Sequence, residues 1–270
     1  MSTTATASTL LASGCHLGSG CGFPAPSLDD FYFSPIFSIG GFHFTKPMLI
    51  ALLSAGIVCV YFYYAFRRPK LVPRGAQNVG ELGYLFIRDQ IARPMIGKAG
   101  DTYVPFLFSL FFFVWVMNLM EIIPIAQFPA TSKIAFPAAC VIMTYLTYWY
   151  QAIKRNGFFG FMRKIIPAGV PLPALVILLP VEWLRVLVVQ PFTLMVRLFA
   201  NMFAGHMLLA TFMIATWYLT SASIGVLFAA GSAAMVVVLT AFELLIQGLQ
   251  AYIFTILTAQ YIGESYNAGH

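Results

Sequence analysis

The sequence predicts an all-α integral membrane protein with about five membrane helices and one amphipathic helix on the membrane surface. Of its 270 residues, 60% are hydrophobic and only 9% are charged, whereas soluble domains carry about 25% charged residues. Mean hydropathy is +0.84. The apolar runs are continuous and do not alternate with period two, which indicates helices and not the strands of a membrane barrel. In a membrane protein the net charge of +6 reflects loops that set orientation, so it does not indicate nucleic-acid binding.

The first elements follow from changes in composition along the chain. Residues 1–46 are polar, with Gly, Ser and Pro, and are predicted to lie outside the membrane. The first span is predicted at 47–66, where the basic stretch RRPKLVPR ends it. In the loop at 67–102, apolar and charged residues interleave, which predicts an amphipathic helix lying on the membrane surface and broken near Pro94.

The rest of the chain is predicted to form two helical hairpins. A hairpin of two spans occupies 103–153 and turns at PIAQFPATSK, and a basic loop follows at 154–172. The last hairpin, 173–262, begins with about 45 apolar residues, or about 67 Å of helix against a hydrocarbon core of ~30 Å. Each half of it is either two spans without a loop or one steeply tilted helix. We favour two long tilted helices, with 263–270 as an inside tail.

Lys and Arg are distributed unequally over this topology. Seven lie in the loop after the first span and four in the loop after the third span, against two on the opposite side. The positive-inside rule makes the richer side cytoplasmic and places the N-terminus outside. The last two of the fifteen, Arg185 and Arg197, lie within apolar segments.

The cysteines have two kinds of surroundings. Cys59 and Cys140 lie in apolar spans, where a cysteine usually acts as a small packing residue. Cys15 and Cys21 lie in the polar N-terminal segment, and an outside location would permit a disulfide between them.

Arg197 lies in the apolar stretch QPFTLMVRLFANMFAGHMLL, residues 190–209. An arginine at mid-membrane costs at least about 2.5–3.5 kcal/mol and is a candidate functional residue by default. At 100° per residue it shares a polar stripe, within about 60°, with three neighbours. These are Gln190, Thr193 and Asn201.

A second polar stripe is predicted on the final helix. It consists of Glu243, Gln247 and Gln250. We expect both stripes to face outward from the hairpin, towards a water-lined path or another protein. His206 follows Arg197 by nine residues, roughly 180° round the helix, so it belongs to a different environment.

Simpler interpretations remain open at this point. Arg197 and Glu243 are candidates for a structural salt bridge, and His206 alone is more often a satisfied core histidine. A stand-alone proton-coupled transporter using an Arg197–Glu243 switch is the rival function, although carriers usually contain internal repeats that this sequence lacks. An enzyme is not indicated, because the four histidines are scattered and the sequence contains no metal-spaced cluster or phosphate loop. No cofactor or metal is therefore predicted.

Three motifs in order resemble subunit a of F-type ATP synthases, the stator proton-channel subunit in the membrane. They are FFFVWVMNLMEIIPIAQFP at 111–129, RLFANMFAGH at 197–206 and FELLIQGLQAYIFTILTAQYI at 242–262. The resemblance is clear across 103–262. It implies that the chain binds no nucleotide itself and works within the membrane sector of the complex, coupling proton flow to rotation and ATP synthesis.

The resemblance implies a role for Arg197. It matches the arginine that faces a rotating ring of c subunits, each with one carboxylate at mid-membrane. Its positive charge favours loss of the proton from the nearest ring carboxylate. Because arginine stays protonated, it also blocks direct passage of protons between two half-channels.

Other positions match the family individually. Asn201 and Gln250 match the asparagine and glutamine near the arginine. His206 and Glu243 match two positions where the family often has a His/Glu pair, so the resemblance implies a proton relay in the outer half-channel. The alternative for that pair is a hydrogen bond that braces two helices.

Some positions depart from the family pattern or match it loosely. Gln190 stands where relatives commonly carry Lys or Arg. Glu182 is one residue out of register with a family acid, and either lines the inner half-channel or pairs with Arg185. Glu121 fits the acidic position of the first hairpin, near the outer surface.

The resemblance also implies partners and a location. The partners are the c ring, peripheral-stalk b subunits, other subunits of the membrane and catalytic sectors, protons and the lipid bilayer, with no nucleic acid. A bacterial plasma membrane is the expected location, with an organelle inner membrane as the alternative. Ring size and proton-versus-sodium specificity are set in another chain.

Overall fold

The structure is a computed structural model, and it describes residues 22–26, 37–39, 42–123, 128–164, 172–220 and 225–267. The predicted Cys15–Cys21 disulfide lies outside the described residues. Of the cysteines predicted to be packing residues, Cys140 is buried in the core, but Cys59 is exposed.

Helices dominate the described part of the chain, as the sequence predicts. The α-helices are α1 Lys46–Phe66, α2 Ala76–Phe86, α3 Arg93–Ile96, α4 Val104–Leu119, α5 Ala135–Lys164, α6 Leu172–Leu184, α7 Gln190–Leu219 and α8 Gly225–Asn267. Two π-helical segments, Ile87–Ala92 and Arg185–Val189, and two 3-10 helices, Lys98–Thr102 and Ala130–Ser132, join them.

One small departure from the all-α prediction precedes α1. The strands β1, Phe37–Ile39, and β2, Phe42–Phe44, pair antiparallel with Ser38 opposite His43. In the sequence, alternating apolar residues flank a Gly-Gly pair, which is typical of a hairpin.

Helix α1 covers the first predicted span. Thr45 is extended (φ −110°, ψ 159°), and Pro47 lies in the first turn, where its missing N–H interrupts no helical hydrogen bond. Large apolar side chains of α1, including Leu52, Val60 and Tyr64, are exposed on the protein surface. In a bilayer this surface contacts lipid or another membrane protein.

The predicted amphipathic helix is continuous through Pro94, so the predicted break there is wrong, and its apolar face is divided between two environments. The π-helical segment Ile87–Ala92 joins α2 to α3 with helical φ/ψ at Phe86, Ala92 and Arg93, and the helix ends only at Gly97, whose φ of 83° favours glycine. Ile87 and Ile91 are fully buried against the protein, whereas Leu82 is exposed. This segment is therefore partly built into the helical core and does not lie only on the membrane surface.

Ion pairs hold the polar side of this segment. Arg93 Nε donates to Asp101 Oδ1 at 3.0 Å, and Arg88 Nε donates to Asp89 Oδ1 at 2.9 Å. The hydrogen bond from Arg93 lowers the pKa of the Asp101 carboxyl. Both pairs are solvent exposed, so each contributes little to stability.

The first predicted hairpin of spans corresponds to α4 and the first part of α5. Helix α4 has 16 residues, which is about 24 Å and slightly shorter than the hydrocarbon core. Helix α5 extends beyond the predicted third span and is interrupted at Gly157, where φ is 68° and ψ is 167°.

The last hairpin consists of two very long, nearly continuous helical segments. Leu178–Leu219 and Gly225–Tyr266 each contain 42 residues, about 63 Å of helix. The first of them crosses the π-helical segment Arg185–Val189. Pro191 follows that segment, and because a proline ring collides with the carbonyl four residues earlier, the wider turn accommodates it without ending the helix.

Among the described residues, three helical segments are long and apolar enough to cross a membrane. They are Lys46–Phe66, Leu178–Leu219 and Gly225–Tyr266, and Val104–Leu119 is a shorter apolar helix. The all-α membrane class is thereby confirmed, while the number of about five spans stays a prediction.

The core lies where α8 passes between the other helices. Helix α8 packs along α7 and also contacts α4 and α5. Leu107 and Val114 of α4 and Phe254 and Ile262 of α8 are completely buried there. This packing holds the middle of α8, with its polar residues, against the C-terminal end of α4.

Candidate functional site

A buried carboxylate links three separate parts of the chain. Glu121, just after α4, is only 6% exposed. Its Oε1 lies 3.1 Å from Nδ1 of His206 on α7, and its Oε2 accepts a hydrogen bond of 3.2 Å from Nε2 of Gln247 on α8. Both carboxylate oxygens therefore have polar partners from the long hairpin.

The end of α4 positions Glu121. The Glu121 amide donates to the Asn118 carbonyl at 3.1 Å in a tight turn. Asn118 Oδ1 in turn accepts a 2.7 Å hydrogen bond from Thr131, which holds the 3-10 helix Ala130–Ser132 against this turn. The ring of Phe128 packs edge-on to His206, with centroids 5.6 Å apart. The imidazole is thus held between an aromatic ring and a carboxylate.

Polar atoms in this region are not all satisfied by the described residues. Nδ2 of Asn118, Oε1 of Gln247 and Oε1 of Glu243 are buried and have no hydrogen-bond partner among them. Buried polar groups are normally hydrogen bonded, and water commonly supplies the bond in polar cavities. The cluster thus contains buried polar atoms whose usual partner is bound water.

Glu243 lies next to this cluster but has different neighbours. It is 4% exposed and packs directly against Gly205, where a Cβ atom would collide with the carboxylate. A cavity of about 210 Å³ between α7 and α8 is lined by Glu243, Gly205 and Asn201, together with apolar side chains. The cavity is large enough for several water molecules, at about 30 Å³ each in the liquid.

The sequence suggested a pairing of His206 with Glu243, and the structure gives His206 another acid as a neighbour. The carboxylate bonded to His206 is that of Glu121. Because Gly205 lies directly over Glu243, the Glu243 carboxylate contacts the α7 backbone position next to His206. The alternative salt bridge between Arg197 and Glu243 is also absent from the ion pairs of the described residues.

The two predicted stripes point in different directions. On α7, Thr193, Arg197 and Asn201 are exposed and Gln190 is half-buried, so this stripe faces outward as expected. On α8, the expected outward orientation is wrong. The second stripe is buried, with exposures of 4% for Glu243, 0% for Gln247 and 2% for Gln250. Gln247 is covered by Glu121 at the end of α4, whereas Glu243 and Gln250 lie against Gly205 and Asn201 of α7.

Arg197 and Asn201 lie one turn apart on the outward face of α7. Asn201 Nδ2 donates a 2.8 Å hydrogen bond to Oε1 of Gln250, which joins α7 to α8. Arg197 is exposed, and within the described part of the chain it forms no hydrogen bond or ion pair. A charged group on the apolar surface of a membrane helix requires a polar or anionic neighbour, so the arrangement favours a partner chain beside Arg197.

The remaining candidate acid, Glu182, pairs with Arg185. Arg185 Nη2 contacts Glu182 Oε1 one turn earlier in the helix. Of the two roles predicted for Glu182, the geometry matches the pair near the membrane interface. Within the described residues, no three His, Cys, Asp or Glu side chains are grouped closely enough to hold a metal ion.

Two residues of the site were missed. Gly205 was overlooked because its role depends on the residue facing it across two helices, and no signal in the sequence reports that. Asn118 is the asparagine of the motif at 111–129, but the sequence does not predict its hydrogen bond with Thr131 or its turn with Glu121.

Comparison with known proteins gives a consistent result. Residues 48–263 match the family described as ATP synthase A chain. The chain is similar to proteins named ATP synthase subunit a from Streptomyces lividans, at 48% identity over 92% of this chain and 89% of the relative. It is also similar to those from Frankia alni, at 45% over 90% and 86%, and Hyphomonas neptunium, at 40% over 83% and 88%.

Proposed function

The chain belongs to the ATP synthase subunit a family, and from this premise we propose that it forms two proton half-channels that meet beside Arg197 at a rotating c ring. Membership makes it a multi-pass membrane subunit of the F-type ATP synthase that takes part in proton translocation and is not itself the catalytic subunit. It associates with other subunits of that complex. The stand-alone transporter is not favoured.

The outer half-channel runs through the cluster around Glu121. An imidazole titrates near neutral pH and can pass a proton between its two nitrogens, so His206 bonded to a carboxylate suits a relay. The cavity beside Glu243 and Asn201 lies between this cluster and the outward stripe of α7. Protons therefore reach the ring by way of Glu121, His206 and the hydrated space next to Glu243.

Arg197 separates the two half-channels. The single observation that carries this proposal is that Arg197 is exposed on an apolar helix surface and forms no ion pair or hydrogen bond with another described residue. A c-ring carboxylate opposite it would provide the missing negative charge and would lose its proton in doing so. Since the guanidinium stays protonated, a proton cannot pass through it from one half-channel to the other.

The Asn201–Gln250 hydrogen bond holds α7 and α8 together one turn from Arg197. A fixed spacing between these helices keeps the arginine at a constant distance from the passing ring. The peripheral-stalk b subunits bind elsewhere on the chain. The cytoplasmic side is the one with eleven Lys and Arg, in a bacterial plasma membrane.

The test is ATP-driven proton pumping in inverted membrane vesicles that contain the whole complex. Arg197→Ala is compared with the unaltered protein and with Arg67→Ala, a matched change at an arginine just after α1 and away from the site. We expect Arg197→Ala to abolish pumping and raise the passive proton leak in an assembled complex, while Arg67→Ala pumps normally. Normal pumping by Arg197→Ala would refute the proposal.

A further inference from the structure

Glu264 is a carboxylate that the route through Glu121 and His206 does not use. It lies near the end of α8, within the membrane-capable segment Gly225–Tyr266, and it is half-buried. Acidic side chains within such segments are costly and are usually functional. Its position at the C-terminal end of α8 places it on the side opposite to the outer half-channel.

The polar neighbours of Glu264 come from two helical segments. Nε2 of Gln260, one turn earlier on α8, lies 3.5 Å from Glu264 Oε1. Arg185 and Glu182 are close enough to Glu264 for an electrostatic interaction. Because Arg185 already forms an ion pair with Glu182, Glu264 is not its direct partner. The Glu264 carboxylate thus lies next to the Glu182–Arg185 ion pair but is not a member of it.

Tyrosines connect Glu264 with the region of Arg197. Tyr261 is three residues before Glu264 on α8, so both lie on one helix face. It is close enough to interact electrostatically with both Glu264 and Arg197. Its ring packs against that of Tyr145 on α5, with centroids 5.7 Å apart, and both rings are buried. Tyr261 therefore lies near both Glu264 and Arg197.

A buried polar atom without a partner lies next to Tyr145. Nε1 of Trp149 is buried and has no hydrogen-bond partner among the described residues, whereas the hydroxyl of Tyr145 has that of Tyr261 as a neighbour. The rings of Tyr145 and Trp149 contact each other, with centroids 6.3 Å apart. Buried hydroxyl and indole groups usually have a partner, and ordered water supplies one in polar sites. The unpartnered indole nitrogen is an observation independent of Glu264 itself, and a bound water molecule is its expected partner.

We propose that Glu264 is a proton-relay residue of the second half-channel, which connects the side of the α8 C-terminus to the ring surface near Arg197. This inference rests on the proposed function. In pumping, the carboxylate takes one proton from water on that side and passes it through bound water to a ring carboxylate. In synthesis the same proton moves in the opposite direction. Tyr145 and Tyr261 orient the water molecules, and the Glu182–Arg185 pair lies at the mouth.

The main competing role for Glu264 is to balance the charge of Arg185. A relay and a charge balance predict different results when both residues are changed. If Glu264 only balances the charge of Arg185, the double variant Glu264→Gln/Arg185→Gln recovers pumping. It does not recover pumping if the carboxylate itself carries protons.

The experiment measures the initial rate of ATP-driven pumping in inverted vesicles, in which the side of Glu264 faces the medium, from about pH 6.5 to about pH 9. We expect Glu264→Gln to slow pumping about tenfold at the alkaline end, where protons are scarce, and less at the acidic end. Glu264→Asp retains most of the rate. Glu81→Gln is the matched control. Glu81 lies on α2, away from the proposed proton route, and accepts a hydrogen bond from Gln77.

An unchanged pH profile for an assembled Glu264→Gln complex overturns the relay, as does recovery in Glu264→Gln/Arg185→Gln. If Glu264→Gln does not assemble, Glu264→His replaces it. Imidazole and carboxyl groups titrate in different pH ranges. A pH profile of pumping that is displaced towards neutral pH in Glu264→His therefore supports the relay, and a profile that is not displaced overturns it. Arg197→Ala is measured in parallel. If Arg197→Ala still pumps protons, the proposed function is refuted. If Arg197→Ala does not pump but Glu264→Gln has an unchanged pH profile of pumping, only the inference about Glu264 is refuted.

Discussion

His206 Nδ1 lies 3.1 Å from Oε1 of Glu121, although the two residues are 85 positions apart in the sequence. The contact joins the end of α4 to the middle of α7 and brings a titratable ring against a buried acid. Gln247 of α8 holds the second oxygen of the same carboxylate. One side chain therefore connects three helices at the place where the outer half-channel is proposed.

Glu121→Ala tests whether this carboxylate carries protons. We expect ATP-driven pumping to fall at least about tenfold, the scale expected for loss of a proton-transfer group. Glu121→Asp should retain more activity than Glu121→Ala, since a shortened carboxylate can still bind a proton. Pumping rates in vesicles with equal amounts of assembled complex measure the effect, and Glu81→Ala is the control. Equal rates for Glu121→Ala and the control would leave Glu121 with a structural role.

Gly205→Ala should disturb the site by steric overlap. A Cβ atom at position 205 collides with the Glu243 carboxylate, which must turn into the adjoining cavity of about 210 Å³ to make room. We expect a destabilisation of about 1 kcal/mol, the low end for overpacking because the carboxylate ends a flexible side chain, together with slower pumping. Gly231→Ala on α8 is the matched control, because a Cβ there meets nothing within 4 Å.

Thermal unfolding of the purified complex measures the effect of Gly205→Ala. Combining Gly205→Ala with Glu243→Ala should recover much of the lost stability by making space for the methyl group. A Gly205→Ala variant as stable as Gly231→Ala would contradict the close packing of Gly205 on Glu243.

The hydrogen bond between Asn201 and Gln250 should appear as an energetic coupling. Polar pairs between membrane helices contribute about 0.6 kcal/mol on average and up to about 1.7 kcal/mol. We expect a double-mutant cycle of Asn201→Ala and Gln250→Ala, read by thermal unfolding, to give a coupling in that range. The pair Asn201 and Gln260, on the same two helices but without a hydrogen bond between them among the described residues, is the control cycle. Additive effects of Asn201→Ala and Gln250→Ala would show that the bond does not hold the helices together.

The Arg93–Asp101 pair should contribute to stability in a pH-dependent way. The hydrogen bond from Arg93 lowers the pKa of Asp101 below its ordinary value of 3.8. The stabilisation is therefore present above that value and is lost as the pH falls through the lower pKa of the folded state. Asp101→Asn should lower the unfolding temperature slightly at neutral pH and have no effect at strongly acidic pH. Because the pair is exposed, high salt should also reduce the difference.

A difference between Asp101→Asn and the unaltered protein that persists at strongly acidic pH would show that the carboxylate charge is not the cause. Asp89→Asn provides a comparison within the same segment, since the pKa of Asp89 is lowered by its hydrogen bond with Arg88.

The membrane class, the helical segments and the outward polar stripe of α7 were all predictable from the sequence. These features depend on residues close together in the chain. Continuous apolar runs of sufficient length specify membrane helices, and the 100° rotation per residue places Thr193, Arg197 and Asn201 on one face whatever else surrounds the helix. The predicted break near Pro94 was wrong, because the π-helical segment just before it accommodates the proline within a continuous helix, and residue pattern does not indicate such a turn.

Which polar groups meet depends on the packing of the helices. The stripe of Glu243, Gln247 and Gln250 faces inward because α7 and the end of α4 cover it, and periodicity on one helix does not report what packs against it. His206 is bonded to Glu121 because α4 ends beside the middle of α7. Contacts between residues 85 or 126 positions apart depend on how whole helices are arranged, and that arrangement is set by the packing of many side chains together.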